Sequence, residues 1–179
     1  MSAHGHIPGK LVDGLFRKLL LHELTAELVT LLAEAGVDVS VPAAEAYPRA
    51  VWYRAIELTA AALYPAEPPP GQLHRLGRHV IDSWQRRGIK GPWLGVAKLM
   101  GPRRAMKQAA ELAGKYSPVR LEVHDQGKSA VEIRVDEGQQ PEFLAGLLEG
   151  VIGVLGGKDA HVHVTGAAPE KGVFAATWR

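Results

Sequence analysis

The chain of 179 residues contains no cysteine. This absence excludes disulfide bonds, cysteine-ligated zinc, iron–sulfur clusters and thiol nucleophiles. The chain also lacks any run close to the roughly 20 apolar residues that a membrane-spanning helix needs, and its start lacks the apolar core and cleavage site of a secretory signal. We therefore expect a cytoplasmic protein with no membrane span.

The composition is that of an ordinary globular domain, with 46% hydrophobic and 22% charged residues. A chain of this length is large enough to bury one sizeable core and too short for two full domains. We expect a flexible N-terminus over residues 1–9 and a single domain over residues 10–179. Within that domain we expect a helical part over 10–116 and a sheet part over 117–179.

The net charge of +2 conceals an uneven distribution along the chain. Residues 1–71 carry five basic and eight acidic groups, residues 72–120 carry eleven and two, and residues 121–179 carry five and nine, giving −3, +9 and −4. Such a basic middle segment can attract an acidic protein partner. The alternative is that these charges lie on solvated helix faces or pair with the acidic flanks. The near-neutral total gives no reason to expect nucleic-acid binding.

The first two thirds of the chain have helical periodicity, because apolar residues recur at spacings of three and four. A break is expected near His22, and the proline-rich stretch 66–71 is expected to be extended polyproline. Gly91-Pro92 and Gly101-Pro102 each mark the start of a new helix. The predicted helices span residues 11–32, 48–63, 72–87, 92–100 and 102–114.

After Ser117-Pro118 the apolar period changes from 3.6 to 2, which is typical of strands with one buried face. The pattern predicts two strands joined by a hairpin turn at 125–128, then a helix over 141–155, then strands at 160–165 and 172–178. The fold class is therefore α+β, an N-terminal helical part followed by a β-β-α-β-β antiparallel sheet.

Three glycines, Gly146, Gly150 and Gly153, recur along the predicted helix 141–155 at spacings of four and three. Each interior glycine costs a helix about 1 kcal/mol relative to alanine, so three of them indicate a packing purpose. We expect this stripe to lie in close contact with the sheet. A ligand groove is the alternative.

Candidate metal and catalytic groups are few. His161 and His163 share one face of a strand and His124 lies on another strand, so the three imidazoles could bind a metal only if those strands are adjacent. Glu122 and Glu132 could face each other across the hairpin, but a carboxylate pair on a wet sheet lacks the burial that tunes a general acid. We expect no metal and assign no catalytic residue, and the sequence leaves open whether the protein is an enzyme.

A candidate anion site lies at Gly101-Pro102-Arg103-Arg104, where free N–H groups at a helix start and two guanidinium groups favour a negative ligand. No phosphate-binding glycine motif accompanies it. The residues that we expect to bind an anion or an acidic partner are Arg86, Arg87, Arg103, Arg104 and Lys107.

Six short motifs together resemble an uncharacterised family of paralogous proteins that is expanded in myxobacteria. The resemblance extends from about Lys10 to Trp178. The motifs are Tyr47-Pro48-Arg49-Ala50-Val51-Trp52, Ala62-Leu63-Tyr64-Pro65, Leu76-Gly77-Arg78, Gly101-Pro102-Arg103, Pro141-Glu142-Phe143 and Gly146-Leu147-Leu148-Glu149-Gly150.

The chain more distantly resembles haem nitric-oxide/oxygen-binding domains and vinyl-reductase-like ligand-binding domains. The resemblance implies a helical part followed by a sheet, with a cavity between them. The haem family has a histidine on the helix before the sheet and a Tyr-x-Ser-x-Arg motif for the propionates. Here Met106 stands at the histidine position, and Arg134, Asp136 and Gly138 stand at the motif, so we expect no haem and no other cofactor.

Two functions follow as hypotheses. The first is a non-enzymatic, haem-free sensory or regulatory domain that binds a small apolar or amphiphilic ligand between the helices and the sheet. The second is a protein-interaction module that docks an acidic partner through the basic 72–120 surface. The residues expected to line the ligand pocket are Trp52, Trp84, Leu99, Met106 and Phe143.

Overall fold

The computed structural model describes residues 6–87, 92–116, 120–136, 139–168 and 171–179. Within these ranges the chain forms seven α-helices and six strands in two antiparallel sheets, which confirms the α+β class. The chain forms two compact units, Met1–Leu76 and Gly77–Arg179. The single domain expected over residues 10–179, with a helical part over 10–116 and a sheet part over 117–179, stays a prediction.

The first unit begins with strand β1 (His6–Pro8), which pairs antiparallel with strand β2 (Ala46–Pro48). Residues 6–8 form β1 and Gly9 begins the next helix, while the flexibility expected for residues 1–9 stays a prediction. The pairing is close because the Gly9 N–H donates to the Glu45 carbonyl at 2.8 Å, and a Cβ on Gly9 would lie 1.7 Å from the Ala44 carbonyl oxygen.

The helical segment between these strands is interrupted. Helix α1 (Gly9–Val12) continues as a π-helical stretch, Asp13–Leu19, and then as a 3₁₀ turn, Leu21–Glu23. The break expected near His22 is thus confirmed. Helix α2 (Ala26–Glu34) follows, and the Thr25 side chain caps it by accepting the Leu28 N–H at 3.2 Å.

Helix α3 (Arg49–Leu63) and the start of helix α4 (Pro69–Arg86) complete the first unit. The expected polyproline segment is wrong over residues 69–71, because Pro69 and Pro70 form the first turn of α4. Helical N–H groups in a first turn have no intrahelical partner, so proline removes nothing there. The largest fully buried side chains of the unit are Phe16, Leu20, Leu28, Leu32 and Ile56.

The second unit contains the rest of α4 and three further helices, α5 (Pro92–Met100), α6 (Pro102–Tyr116) and α7 (Pro141–Val154). Between α5 and α6, Gly101 has φ +76, a left-handed conformation that favours glycine and allows the sharp turn. The predicted helix bounds in this region hold to within two residues. Gly88, which directly follows the predicted helix 72–87, lies outside the described residues.

The four-stranded sheet consists of β3 (Leu121–Gly127), β4 (Ala130–Val135), β5 (His161–Ala168) and β6 (Lys171–Thr177). Its strand order is β3-β4-β6-β5, and each neighbouring pair is antiparallel. Ile133 lies opposite Phe174 in the register, and both side chains are fully buried. The predicted alternation is confirmed, since Val131, Ile133 and Val135 are buried whereas Arg134 is exposed.

One apolar core cluster joins this sheet to α5, α6 and α7. Because the apolar face of a sheet needs a helical layer over it, this packing explains why the three helices belong to the same unit as the strands. Among the described helices, none has both the length and the apolar character that crossing a membrane requires.

Candidate functional site

A cleft of about 420 Å³ opens in the second unit between α4, α7 and the start of β5. From α4 it takes Arg78, Asp82 and Gln85, which share one helix face because they are four and three residues apart. The remaining lining residues are Glu149, Gly150, Gly153, Val154, Gly157, Asp159, Ala160 and His161.

Glu149 is the central polar residue of this cleft, and it is only 6% exposed. Its Oε1 accepts a hydrogen bond from Arg78 Nη1 at 2.9 Å, and its Oε2 accepts one from the backbone N–H of Val162 at 2.9 Å. A buried carboxylate needs such charged and backbone donors to offset its lost hydration. Glu149 therefore connects α4, α7 and β5 through a single side chain.

Two glycines bring α4 and α7 together beside Glu149. A Cβ on Gly77 would lie 2.3 Å from the backbone oxygen of Phe143, and a Cβ on Gly150 would lie 2.8 Å from the Cβ of Ile81. Each position thus admits only hydrogen. The expectation that the glycine stripe packs on the sheet is wrong at Gly150, whose contact is with helix α4.

Gly153 differs from its neighbours in the stripe. It is exposed on the cleft wall, and a Cβ placed there would meet nothing within 4 Å. Its φ does not lie in the left-handed range either. An interior glycine costs a helix about 1 kcal/mol relative to alanine. Neither close packing nor backbone conformation explains why position 153 is a glycine.

The other charges of the cleft are partly paired. Asp159 forms an ion pair with Arg179. Asp82 is exposed and forms no ion pair with any residue that the structure describes. His161, the first residue of β5, is also exposed. The sequence offered a ligand groove along the glycine stripe as an alternative, and Gly150 and Gly153 do line this cleft, but the contact between Arg78 and Glu149 was not predicted because it joins residues 71 positions apart.

The residues predicted to line an apolar pocket occupy different environments. Met106 is 3% exposed within the apolar core cluster, Phe143 is buried, and Trp84 is half-buried. Leu99 is 90% exposed and projects into solvent, so it does not line an interior cavity in this structure. Trp52 belongs to the first unit, where its ring packs edge-on against Phe16 with centroids 6.2 Å apart.

The predicted basic surface is partly neutralised within the second unit. Lys107 Nζ lies 2.5 Å and Arg103 Nε 3.9 Å from the carboxylate of Asp125 on β3. The hydrogen bond from Lys107, aided by the charge of Arg103, holds the pKa of Asp125 below its ordinary value. These two cations therefore pair with an acidic flank, which the sequence left open as an alternative.

The other predicted cations remain at the surface. Arg104 is exposed on α6, Arg87 is exposed after α4, and Arg86 Nη2 donates to Ser83 Oγ at 2.8 Å. Helix α5 also exposes 57% of Val96 and 90% of Leu99. The segment that was predicted to be basic thus also carries exposed apolar side chains, which charge counting alone does not detect.

The strand order separates the predicted metal ligands. His124 lies on β3 and His161 and His163 lie on β5, at opposite edges of the sheet, so these imidazoles do not converge. Over the described residues no group of three metal-ligating side chains forms. The register places Glu122 opposite Arg134 and not opposite Glu132, so the possible carboxylate pair is not formed.

The side chains do not fit a histidine-ligated haem. Residues 80–123 contain no histidine, and Met106 has its thioether packed in the apolar core. On the sheet, Arg134 is exposed and donates to Glu132 at 2.8 Å. Asp136 is exposed as well, and Gly138 lies outside the described residues. The chain thus lacks both the expected iron ligand and the expected propionate motif.

The whole architecture matches that of H-NOX domains. An H-NOX protein from S. oneidensis in the Fe(II)NO ligation state has a TM-score of 0.66 at 9% identity, covering 97% of this chain and 99% of that one. A Cs H-NOX mutant carrying 4-cyano-L-phenylalanine has a TM-score of 0.66 at 14% identity, covering 97% of both chains.

An oxygen-binding H-NOX domain related to soluble guanylate cyclases, in its oxygen complex, has a TM-score of 0.59 at 14% identity over 97% of this chain and 95% of that one. At these identities the likeness shows the fold alone. The protein therefore has an H-NOX-like α+β fold.

Residues 6–179 match the family described as "Protein of unknown function (DUF2378)", and the chain belongs to that family. No curated protein matches it. The myxobacterial expansion of the family and the likeness to vinyl-reductase-like domains stay predictions.

Proposed function

We propose that this chain is a non-enzymatic, haem-free sensory or regulatory domain that binds a small apolar or amphiphilic ligand. The observation that carries this proposal is an H-NOX-like fold over 97% of the chain, combined with the absence of histidine from residues 80–123. The fold supports a ligand-binding sensory role, and the helices that precede the sheet in this range supply no imidazole for haem iron. We therefore propose a ligand that is held by apolar contacts instead of haem held by a histidine.

Three residues of the second unit are proposed to contact this ligand, Trp84, Met106 and Phe143. Met106 and Phe143 are buried, and Trp84 is half-buried. The unbranched thioether of Met106 adapts to irregular apolar shapes more easily than a branched side chain does. Trp52, which belongs to the first unit, stays a prediction from the sequence, and Leu99 is omitted because it faces solvent.

Native mass spectrometry and a haemin titration of the gently purified full chain test this proposal. We expect a co-purifying apolar molecule, or stoichiometric binding of myristate as a probe, and no sharp Soret band with haemin. Met106→Phe should weaken myristate binding, because added volume in a buried site displaces the ligand. Leu99→Phe is the matched control at an exposed position. A Soret band with haemin, or no binding of either apolar species, would contradict the proposal.

A second candidate function is docking of an acidic protein partner, which the exposed face of α5 favours. Val96 and Leu99 are one helical turn apart and share that face, and Lys98 and Arg104 are exposed nearby in sequence. An apolar centre with a charged rim is the usual anatomy of an interface. Arg103 and Lys107 already pair with Asp125, so Lys98 and Arg104 are the cations that this surface is proposed to use.

A fluorescent synthetic helix with leucines on one face and glutamates on the other is the probe for this second function. Binding measured by anisotropy should fall about tenfold in Leu99→Ser and in Arg104→Glu, and should weaken with salt. Leu31→Ser, at a leucine that is 37% exposed in the first unit, is the control. Equal binding by Leu99→Ser and the unmodified protein would exclude this surface.

A further inference from the structure

We propose that the cleft between α4, α7 and β5 is a binding site for an amino acid or a zwitterion of similar size. In this proposal the ligand's carboxylate binds Arg78 and its ammonium group binds Asp82. The cleft volume of about 420 Å³ lies within the range of roughly 300 to 1,000 Å³ that is usual for small-molecule sites. The site is separate from the apolar ligand proposed above, and its existence does not depend on that ligand.

Arg78 is held in place before any ligand arrives. Its Nη1 donates to the buried Glu149, whose other oxygen is fixed by the Val162 N–H, yet 54% of the Arg78 side chain is exposed. A guanidinium has further N–H donors in a planar fork that suits a second carboxylate. Because its orientation is already fixed, a carboxylate that binds there loses little of its affinity to ordering the side chain.

Asp82 supplies the opposite charge one helical turn away. The carboxylates of Glu149 and Asp159 are paired with arginines, whereas Asp82 forms no ion pair within the described part of the chain. A simple anion would meet the Asp82 carboxylate, and a simple cation would meet the Arg78 guanidinium. A ligand that carries both charges satisfies both groups, because residues four apart on a helix have Cβ atoms only about 6 Å apart.

Gly153 gives the body of the ligand room. Gly150 must be glycine because Ile81 packs against it, but a Cβ at Gly153 would enter open space beside the cleft. Gln85 and His161 line the same cleft and offer hydrogen-bonding groups to a ligand side chain. The glycine that packing does not explain is therefore the one that keeps the site open.

Amide NMR spectra of the ¹⁵N-labelled full chain test the site directly. The probes are an equimolar mixture of L-amino acids and the same mixture with N-acetylated amino groups. We expect saturable shifts of the Gly150, Gly153 and Gly157 amides with an apparent dissociation constant of about 1 mM or tighter. The N-acetylated mixture, which lacks the ammonium charge, should bind at least about tenfold more weakly.

Two variants separate this site from non-specific binding. Asp82→Asn removes the charge with little change of shape and should weaken binding by about tenfold or more, while Gly153→Leu should abolish it. Glu111→Gln, at an exposed acid on α6, is the matched control and should bind as the unmodified chain does. The proposal is overturned if the mixture causes no saturable shifts at the three glycines, or if Asp82→Asn binds unchanged. If Gly153→Leu does not fold, the binding measured for Asp82→Asn is sufficient to test the proposal.

Discussion

At the scale of single residues, Glu149 shows how a buried charge organises the second unit. Its carboxylate accepts hydrogen bonds from the charged side chain of Arg78 and from the backbone N–H of Val162. Water can replace the Glu149 carboxylate as the partner of Arg78, because Arg78 is half-exposed. Water cannot replace it as easily at the Val162 N–H, because Val162 is buried. Removing Arg78 and removing Glu149 should therefore lower the free energy of unfolding by different amounts.

We predict that Arg78→Ala destabilises the protein by about 3 kcal/mol, because it removes a charged hydrogen-bond donor from a buried carboxylate. Glu149→Gln should cost only about 1 kcal/mol, since the amide oxygen still accepts the Val162 N–H and Arg78 turns to solvent. Urea unfolding measures both changes, and Arg104→Ala at an exposed position should be neutral. A larger loss in Glu149→Gln than in Arg78→Ala would show that this account of the pair is wrong.

Sequence patterns were least informative about which individual side chains face the core and which distant residues contact each other. Helix α5 is apolar on nearly every side, so spacing alone could not decide which residues turn inward. The structure buries Ala97 and packs Met100 on the core, which leaves Leu99 outside. The link between Arg78 and Glu149 was equally hidden, because no local pattern relates residues 71 apart.

At the scale of elements, the crossing of α4 and α7 determines the shape of the cleft. The glycine stripe of α7 correctly predicted that another element packs closely against the helix. It did not predict that this element is α4, because a small residue leaves room for a neighbour without determining which element that neighbour belongs to. Strand alternation was predicted well because one face of each strand is buried, which ties the period to the fold. The segment 69–71 was predicted poorly, because proline suits both polyproline and a helical first turn.

We predict opposite effects for alanine at two glycines near this crossing. Gly77→Ala should destabilise the protein by about 2 kcal/mol, because its Cβ would lie 2.3 Å from the Phe143 backbone oxygen and overpack the helices. Gly153→Ala should stabilise it by up to about 1 kcal/mol, since the methyl group enters open space and favours the helix. Urea midpoints of the two variants provide the comparison, and changes of the same sign would contradict it.

At the scale of the whole molecule, the H-NOX-like architecture persists at 9% to 14% sequence identity although residues 80–123 contain no histidine. The plan of helices followed by a sheet was predictable because the change of apolar period at residue 117 marks it. The division into two units at residue 76 was not, because α4 runs continuously across that position and carries no composition signal there.

The acid stability of the molecule should depend on aspartates in both units. Three have their pKa held below the ordinary 3.8: Asp13 by hydrogen bonding to Lys18 and the charges of Lys18 and Arg17, Asp38 by the hydroxyl and backbone N–H of Ser40, and Asp125 by Lys107 and Arg103. A carboxylate whose pKa is lower in the folded state adds stability above its unfolded pKa and loses it as the pH falls through the folded value. The melting temperature should therefore fall as the pH drops below about 4.

Salt separates the two physical causes of this acid sensitivity. Asp13 and Asp125 depend on ion pairs, which about 1 M sodium chloride screens, whereas Asp38 depends on a neutral serine whose hydroxyl and N–H lie 2.6 Å and 2.8 Å from it. At neutral pH, we predict that Asp38→Asn lowers the melting temperature equally at low and high salt, while the effects of Asp13→Asn and Asp125→Asn shrink in high salt. All three differences should shrink as the pH falls through the folded pKa values, because the native carboxylates then become protonated too. An effect of Asp38→Asn that disappears in salt would assign that aspartate to an ion pair, and would contradict the geometry in which Ser40 alone sets its pKa.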